Sequence, residues 1–264
     1  MKPGRAVLSF LVLIVAGCTG GVIEPSHPTV DLTIYGSASL KGALEEAKAA
    51  YEAAIPGTTL TLSSDSSSAL ETQIEQGAPA DVFLSADTIN PEKLVDAGLA
   101  DGAPVTFATN ALTIVVPADN PAGITSARDL ARPGVRIIAA GDEVPITKYA
   151  TQLVNNLANE AGYPPDFAAA YAENTASKED NVKAVVAKIE LGEGDAGFVY
   201  VTDARASAKV STIDVPDAAN VAATYAGVVV KGSKHAAEAK AFLGWFAGPG
   251  GRSILGPLGF LPPS

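Results

Sequence analysis

Hydrophobic positions along the chain follow two alternating rhythms. Asp31-Leu32-Thr33-Ile34-Tyr35-Gly36 alternates polar and apolar and reads as a strand. Leu40, Leu44, Ala47 and Tyr51 then recur at helical spacing until Pro56-Gly57 stops them. Residues 58–62 predict a second strand, Leu70 and Ile74 a second helix, 81–85 a short apolar strand and 91–97 a third helix. The pattern restarts after residue 110. Segments 111–116 and 135–139 read as buried strands; Tyr149, Leu153 and Leu157 mark a helix over 147–161. Val182, Val185, Val186 and Ile189 mark another helix over 181–190. Further strands are expected at 197–201 and 221–230, a helix at 235–246, and a Gly/Pro-rich tail at the end. Alternating strands and helices predict an α/β fold with a largely parallel sheet. Two such runs with no repeat or long linker predict two lobes, with a ligand cleft at the carboxyl ends of their sheets.

The first residues do not fit that rhythm. Lys2 and Arg5 precede a mostly apolar run over 6–17, shorter than the roughly 20 residues of a spanning helix. It suits the apolar region of a secretory signal. Val15-Ala16-Gly17-Cys18 resembles a bacterial lipobox and contains the only Cys of the chain. The expectation is a signal peptide at 1–17, a lipidated Cys18 and a tether over 18–30; an ordinary signal with a chance Cys is the alternative. The mature protein is then expected outside the cytoplasmic membrane, touching it only through acyl chains.

Composition narrows the chemistry. With 47% hydrophobic and 18% charged residues among 264, the chain can bury a core. Its 29 acidic and 18 basic residues give a net charge of −11, which argues against nucleic acid as a partner. One Cys forms no internal disulfide, and His27 and His235 are too few for a His-built metal site or a Ser/His/Asp triad. No nucleophile elbow, zinc-protease helix or Walker phosphate loop occurs. Acidic residues such as Glu45, Glu46, Glu71 and Glu75 read as solvated helix faces. A secreted hydrolase built on a carboxylate pair remains as a reading from another class.

The positive signals are two small-hydroxyl turns that lead from a strand into a helix: Gly36-Ser37-Ala38-Ser39 and Ser63-Ser64-Asp65-Ser66-Ser67-Ser68. A helix start has unpaired N–H groups and partial positive charge, and a Ser there adds a hydroxyl donor. Two such turns facing one cleft would bind an anion without Lys or Arg. The plainer reading is N-capping, and Ser68 with Glu71 matches a capping box.

Several runs resemble the periplasmic molybdate-binding proteins. They are 36–40, Ser66-Ser67-Ser68-Ala69-Leu70, Gln73 through Gly77-Ala78-Pro79-Ala80-Asp81-Val82-Phe83 to Asp87, Val144-Pro145 with Lys148-Tyr149-Ala150, and Val182 through Asp195-Ala196-Gly197-Phe198-Val199-Tyr200 to Asp203. The resemblance spans about 31–261. It implies a two-lobed periplasmic-binding-protein fold of type II, with crossing strands as hinge near Asn110 and Tyr225. Lobe I would comprise 31–109 and 226–264, and lobe II 110–225. It further implies a monomer without catalytic residues or cofactor that holds molybdate or tungstate for the permease and ATPase subunits of an ABC importer. Carried over by residue, Ser39 and Ser67 would donate hydroxyl and N–H, Ile146 and Val182 backbone N–H, and Tyr200 its phenolic O–H. The metal would be held only through its oxygens. Sulfate, of like charge and shape, is the alternative ligand. Ile146-Thr147 departs from the family's usual small residue followed by Gly, and three adjacent Ser leave the register at 66–68 open.

Overall fold

The computed structural model describes Met1 and residues 29–263. The segment 2–28, with Cys18 and nearly all of the expected signal and tether, lies outside the described residues. In chain order the first run is β1 (Val30–Ser37), α1 (Lys41–Ala54), β2 (Thr58–Asp65), α2 (Ser67–Glu75), β3 (Val82–Ser85), α3 (Ile89–Asp96) and β4 (Val105–Asn110). The second is β5 (Leu112–Pro117), β6 (Ile137–Ala140), α4 (Pro145–Ala158), α5 (Phe167–Glu173), β7 (Thr175–Glu179), α6 (Val182–Glu190), β8 (Gly197–Tyr200), α7 (Val201–Arg205) and β9 (Val210–Ile213). The chain then returns through β10 (Ala223–Val229) to α8 (Ala236–Ala247) and α9 (Pro249–Leu258). β1 begins at Val30, the last residue assigned to the tether.

The first group forms a sheet of order β2-β1-β3-β10-β4, and the second forms sheets β8-β5-β9 and β6-β7. Pairings β1–β2, β1–β3 and β6–β7 are parallel, whereas β10 runs antiparallel to both neighbours and β5 to both of its own. The sheets are therefore mixed, a correction to the largely parallel expectation, because the hydrophobic pattern marks a strand without its direction. The chain passes between the groups twice, at β4–β5 and between β9 and β10. Ala223 already pairs with Asn110 in the first sheet, so the expected boundary at 225/226 falls inside β10.

Local chemistry accounts for the elements nearest the cleft. α1 buries Ala43, Leu44, Ala47 and Tyr51 and exposes Glu45 and Glu46, the amphipathic division its spacing predicts. It packs close because β1 carries Gly36 next to its last residue, where a Cβ would lie 2.1 Å from Leu44 Cδ1. The run Gly192-Glu193-Gly194-Asp195-Ala196-Gly197 has dinucleotide-fingerprint spacing, yet it leads from α6 into β8 rather than from a strand into a helix. The expected C-terminal tail is mostly α9, opened by Pro249 at its first turn. Among the described residues no helix is long and apolar enough to cross a membrane.

Candidate functional site

Five helical segments begin at one small cavity between the strand groups, which Ser39, Ser67, Ile146, Val182 and Tyr200 all line. β1 ends at Ser37, which precedes the 3-10 turn Ala38–Leu40 that feeds α1, and Ser39 in that turn is buried. β2 ends at Asp65, and Ser66 is the N-cap of α2, its Oγ accepting from Ala69 N–H at 3.3 Å. Capping thus falls to Ser66. Ser67 Oγ, 1% exposed, instead accepts from Ala86 N–H at 3.0 Å.

The expected Ser68–Glu71 capping box is not the cap that forms, and Glu71 is not on a solvated face. It is 2% exposed, with Lys93 Nζ 3.8 Å away. Burial, then the neighbouring Glu75, pushes its carboxyl above the usual range.

The second strand group supplies the opposite wall. α4 opens with Pro145, which has no N–H, so Ile146 offers the helix's first amide donor, its own side chain buried. Asn181 caps α6 by accepting from Ala184 N–H at 3.1 Å. The first intrahelical bond of α6 is Val185 N–H to Asn181 C=O, which leaves Val182 N–H ahead of the ladder. Tyr200 ends β8, and its buried hydroxyl has no hydrogen-bond partner among the described residues. Asn181 Nδ2 also donates to Asp65 Oδ1 at 3.2 Å, joining the two walls.

The donor set is neutral. Among the described residues no Lys or Arg lines the cavity, and none forms a metal-binding cluster of His, Cys, Asp and Glu. Lys183, one residue into α6, is paired with the fully buried carboxylate of Asp203 at 2.8 Å. Burial holds the Tyr200 hydroxyl well above its ordinary value of 10 and the Tyr149 hydroxyl up at about 12, so both stay protonated. The cavity is about 10 Å³, on the scale of one ordered water by the same measure. That leaves no room for a sugar or peptide. Converging helix starts favour negative charge, and hydroxyls and amides that only donate suit bare oxygens. A larger cavity of about 260 Å³ behind Ile146 is walled by Ala150, Tyr171 and Phe198 together with Thr147, Thr151 and Lys178, and none of the serines lines it.

Sequence reasoning missed Ser37, Ser66, Ala86 and Asn181 as lining residues. Asn181 carried a signal, an N-cap residue directly before an apolar helix face. Nothing local marked Ala86, which reaches the site because β3 lies beside β1.

An α/β frame of two strand groups with a donor-lined cavity at their crossing is a binding-protein architecture, and the chain belongs to the bacterial extracellular solute-binding protein family, whose model matches residues 32–261. That family consists of transport components, not enzymes. The chain is 35% identical over 255 residues to a Mycobacterium tuberculosis protein named molybdate-binding protein ModA, covering 95% of this chain and 93% of that one. It is 32% identical to a Bacillus subtilis protein whose name describes an ABC transporter substrate-binding lipoprotein, YvgL, covering 94% and 93%. Among solved structures, the Azotobacter vinelandii periplasmic molybdate-binding protein superposes with a TM-score of 0.74 at 27% identity, covering 88% of this chain and 100% of that chain. The fold is the two-lobed type II architecture of periplasmic binding proteins.

Proposed function

We propose that the protein captures molybdate, or tungstate of the same charge and shape, and hands it to the permease and ATPase subunits of an ABC importer. The observation that carries this is the convergence of Ser39, Ser67, Ile146, Val182 and Tyr200 on one compact cavity without a cationic side chain. A buried dianion needs each oxygen hydrogen-bonded, and these groups offer hydroxyl and amide donors without an obligate acceptor facing them. Ser39 and Ser67 donate through hydroxyl and N–H, Ile146 and Val182 through N–H, and Tyr200 through O–H. Phosphate near neutral pH keeps an O–H that would meet only donors, so it is disfavoured. The names of the mycobacterial and Azotobacter relatives support molybdate over sulfate.

In this reading Cys18 carries the acyl anchor, as the name of the Bacillus relative supports, and the protein acts as a monomer on the outer face of the membrane. Residues 31–110 with 223–264 form one lobe and 111–222 the other, swinging about the β4–β5 and β9–β10 crossings. Titration calorimetry on the chain from residue 29 with molybdate, tungstate, sulfate and inorganic phosphate tests the ligand. Tight molybdate and tungstate binding with little phosphate heat is expected; tight sulfate binding with no molybdate signal would overturn the assignment. A scattering profile that contracts on adding molybdate is expected for the hinge.

A further inference from the structure

A serine hydroxyl has one proton to give and two lone pairs to fill, and it rotates to suit its neighbours. Left free, it serves a bare oxyanion as donor or a protonated one as acceptor, and so discriminates poorly. What fills its lone pairs decides which. For Ser67 the main-chain N–H of Ala86, which can only donate, does so at 3.0 Å. For Ser39 the partner is the phenolic hydroxyl of Tyr225, whose Oη donates to Ser39 Oγ at 2.9 Å across 186 residues of sequence.

Tyr225 is built to hold that direction. It is fully buried, with Tyr200, Phe260 and Phe107 ring centroids at 5.6, 5.4 and 6.1 Å, all edge-on. It sits where the β10–β4 register shifts between Tyr225 and Ala226, an irregularity of the kind that re-aims a side chain beside a site. Asn110 Nδ2, beside it on β4, donates to Thr202 Oγ1 at 2.9 Å. The donors run from Tyr225 to Ser39 and on into the cavity. Ser37 Oγ, 3.3 Å from Ser39 Oγ, is the remaining neighbour and can fill the second lone pair.

We infer that Tyr225 is a positioning and specificity residue, holding Ser39 as an obligate donor so that the site accepts fully deprotonated oxyanions and rejects those that keep a proton. The inference rests on the oxyanion reading of the cavity and adds a residue outside its lining. Its test is a double-mutant cycle of Tyr225→Phe and Ser39→Ala, read by calorimetry with sodium molybdate and with inorganic phosphate, thermal melting confirming that each variant folds. Tyr225→Phe keeps the ring and removes the hydroxyl. It is expected to weaken molybdate binding about three- to tenfold, the scale of one hydrogen bond. The molybdate-to-phosphate preference should narrow by at least as much, because Ser39 regains an accepting lone pair. In the Ser39→Ala background Tyr225→Phe is expected to change neither quantity by more than about twofold.

Equal losses in both backgrounds, or a weakened Kd with unchanged preference, would make Tyr225 a packing residue and overturn the inference. Unchanged binding in the single variant would do the same. Failure of the underlying reading shows separately, as a wild-type protein that takes up no molybdate.

Discussion

The two walls of the cavity are built from different parts of the chain. The wall from the first sheet offers side chains, the hydroxyls of Ser39 and Ser67, each with an accepting lone pair already filled by protein. The wall from the second group offers mainly backbone, the first amides of α4 and α6, with the Tyr200 hydroxyl beside them and the Asn181 amide already given to Asp65. Chemistry written in side chains is lost when the residue changes. Chemistry written in main-chain amides survives, so Ile146 presents its N–H whatever its side chain.

Paired truncations sharpen the contrast most. Ser67→Ala removes a bond to a charged guest, about 1.5–3 kcal/mol, so molybdate binding is expected to fall by about 10- to 150-fold in calorimetry. It also leaves Ala86 N–H unpaired in the interior, costing about 1–3 kcal/mol of stability. Ile146→Ala reverses the pattern. Truncating this buried side chain costs about 2–5 kcal/mol in denaturant melts, while molybdate affinity stays within about twofold. An Ile146→Ala protein that binds as poorly as Ser67→Ala would erase the distinction between the walls.

A smaller effect lies beneath the hydroxyl wall, where α2 buries Glu71. Its carboxyl holds a proton to higher pH when folded than when unfolded. The stabilisation is therefore full below the unfolded value near 4.3 and is lost as pH rises through the folded value. Glu71→Gln is expected to flatten this slope and raise the melting temperature by about 2–4 °C at pH 7, but less at pH 4. A variant with the wild-type pH slope would show that Glu71 is not its source. The smallest expected change concerns Tyr200. Because burial keeps its hydroxyl protonated, molybdate affinity should vary by less than about twofold from pH 7 to pH 10. A steep loss above pH 9 would mean that a tyrosine at the site ionises normally.

Much of this could be read from the residues because βα units are local. Gly36 through Tyr51 carries its strand, turn and helix face in adjacent positions, and so do the serines at 66–68 once the capping role of Ser66 is seen. What escaped depends on distant contacts. β7 is polar along its length, Thr175-Ala176-Ser177-Lys178-Glu179, and is a strand only because β6 pairs with it. The α9 segment looks like a loop because of its glycines, yet Gly251 is there for proximity: a Cβ would lie 1.7 Å from the Phe246 carbonyl oxygen. Tyr225 has no neighbour in sequence that hints at Ser39, since the return of β10 into the first sheet brings them together. Glu71 was misjudged because α3 covers the helix face that spacing alone assigns to water.

A lining without ammonium or guanidinium groups also governs how the guest arrives. With no cation in the described lining to draw it in, an approaching dianion feels the field of the whole macromolecule, whose formal charge is −11. The long-range field repels what the short-range contacts hold. Added electrolyte shortens that repulsion to a Debye length of about 8 Å at physiological strength. Uptake should therefore quicken as salt is raised, the opposite of a lysine-steered receptor, and stopped-flow traces at rising sodium chloride would display it.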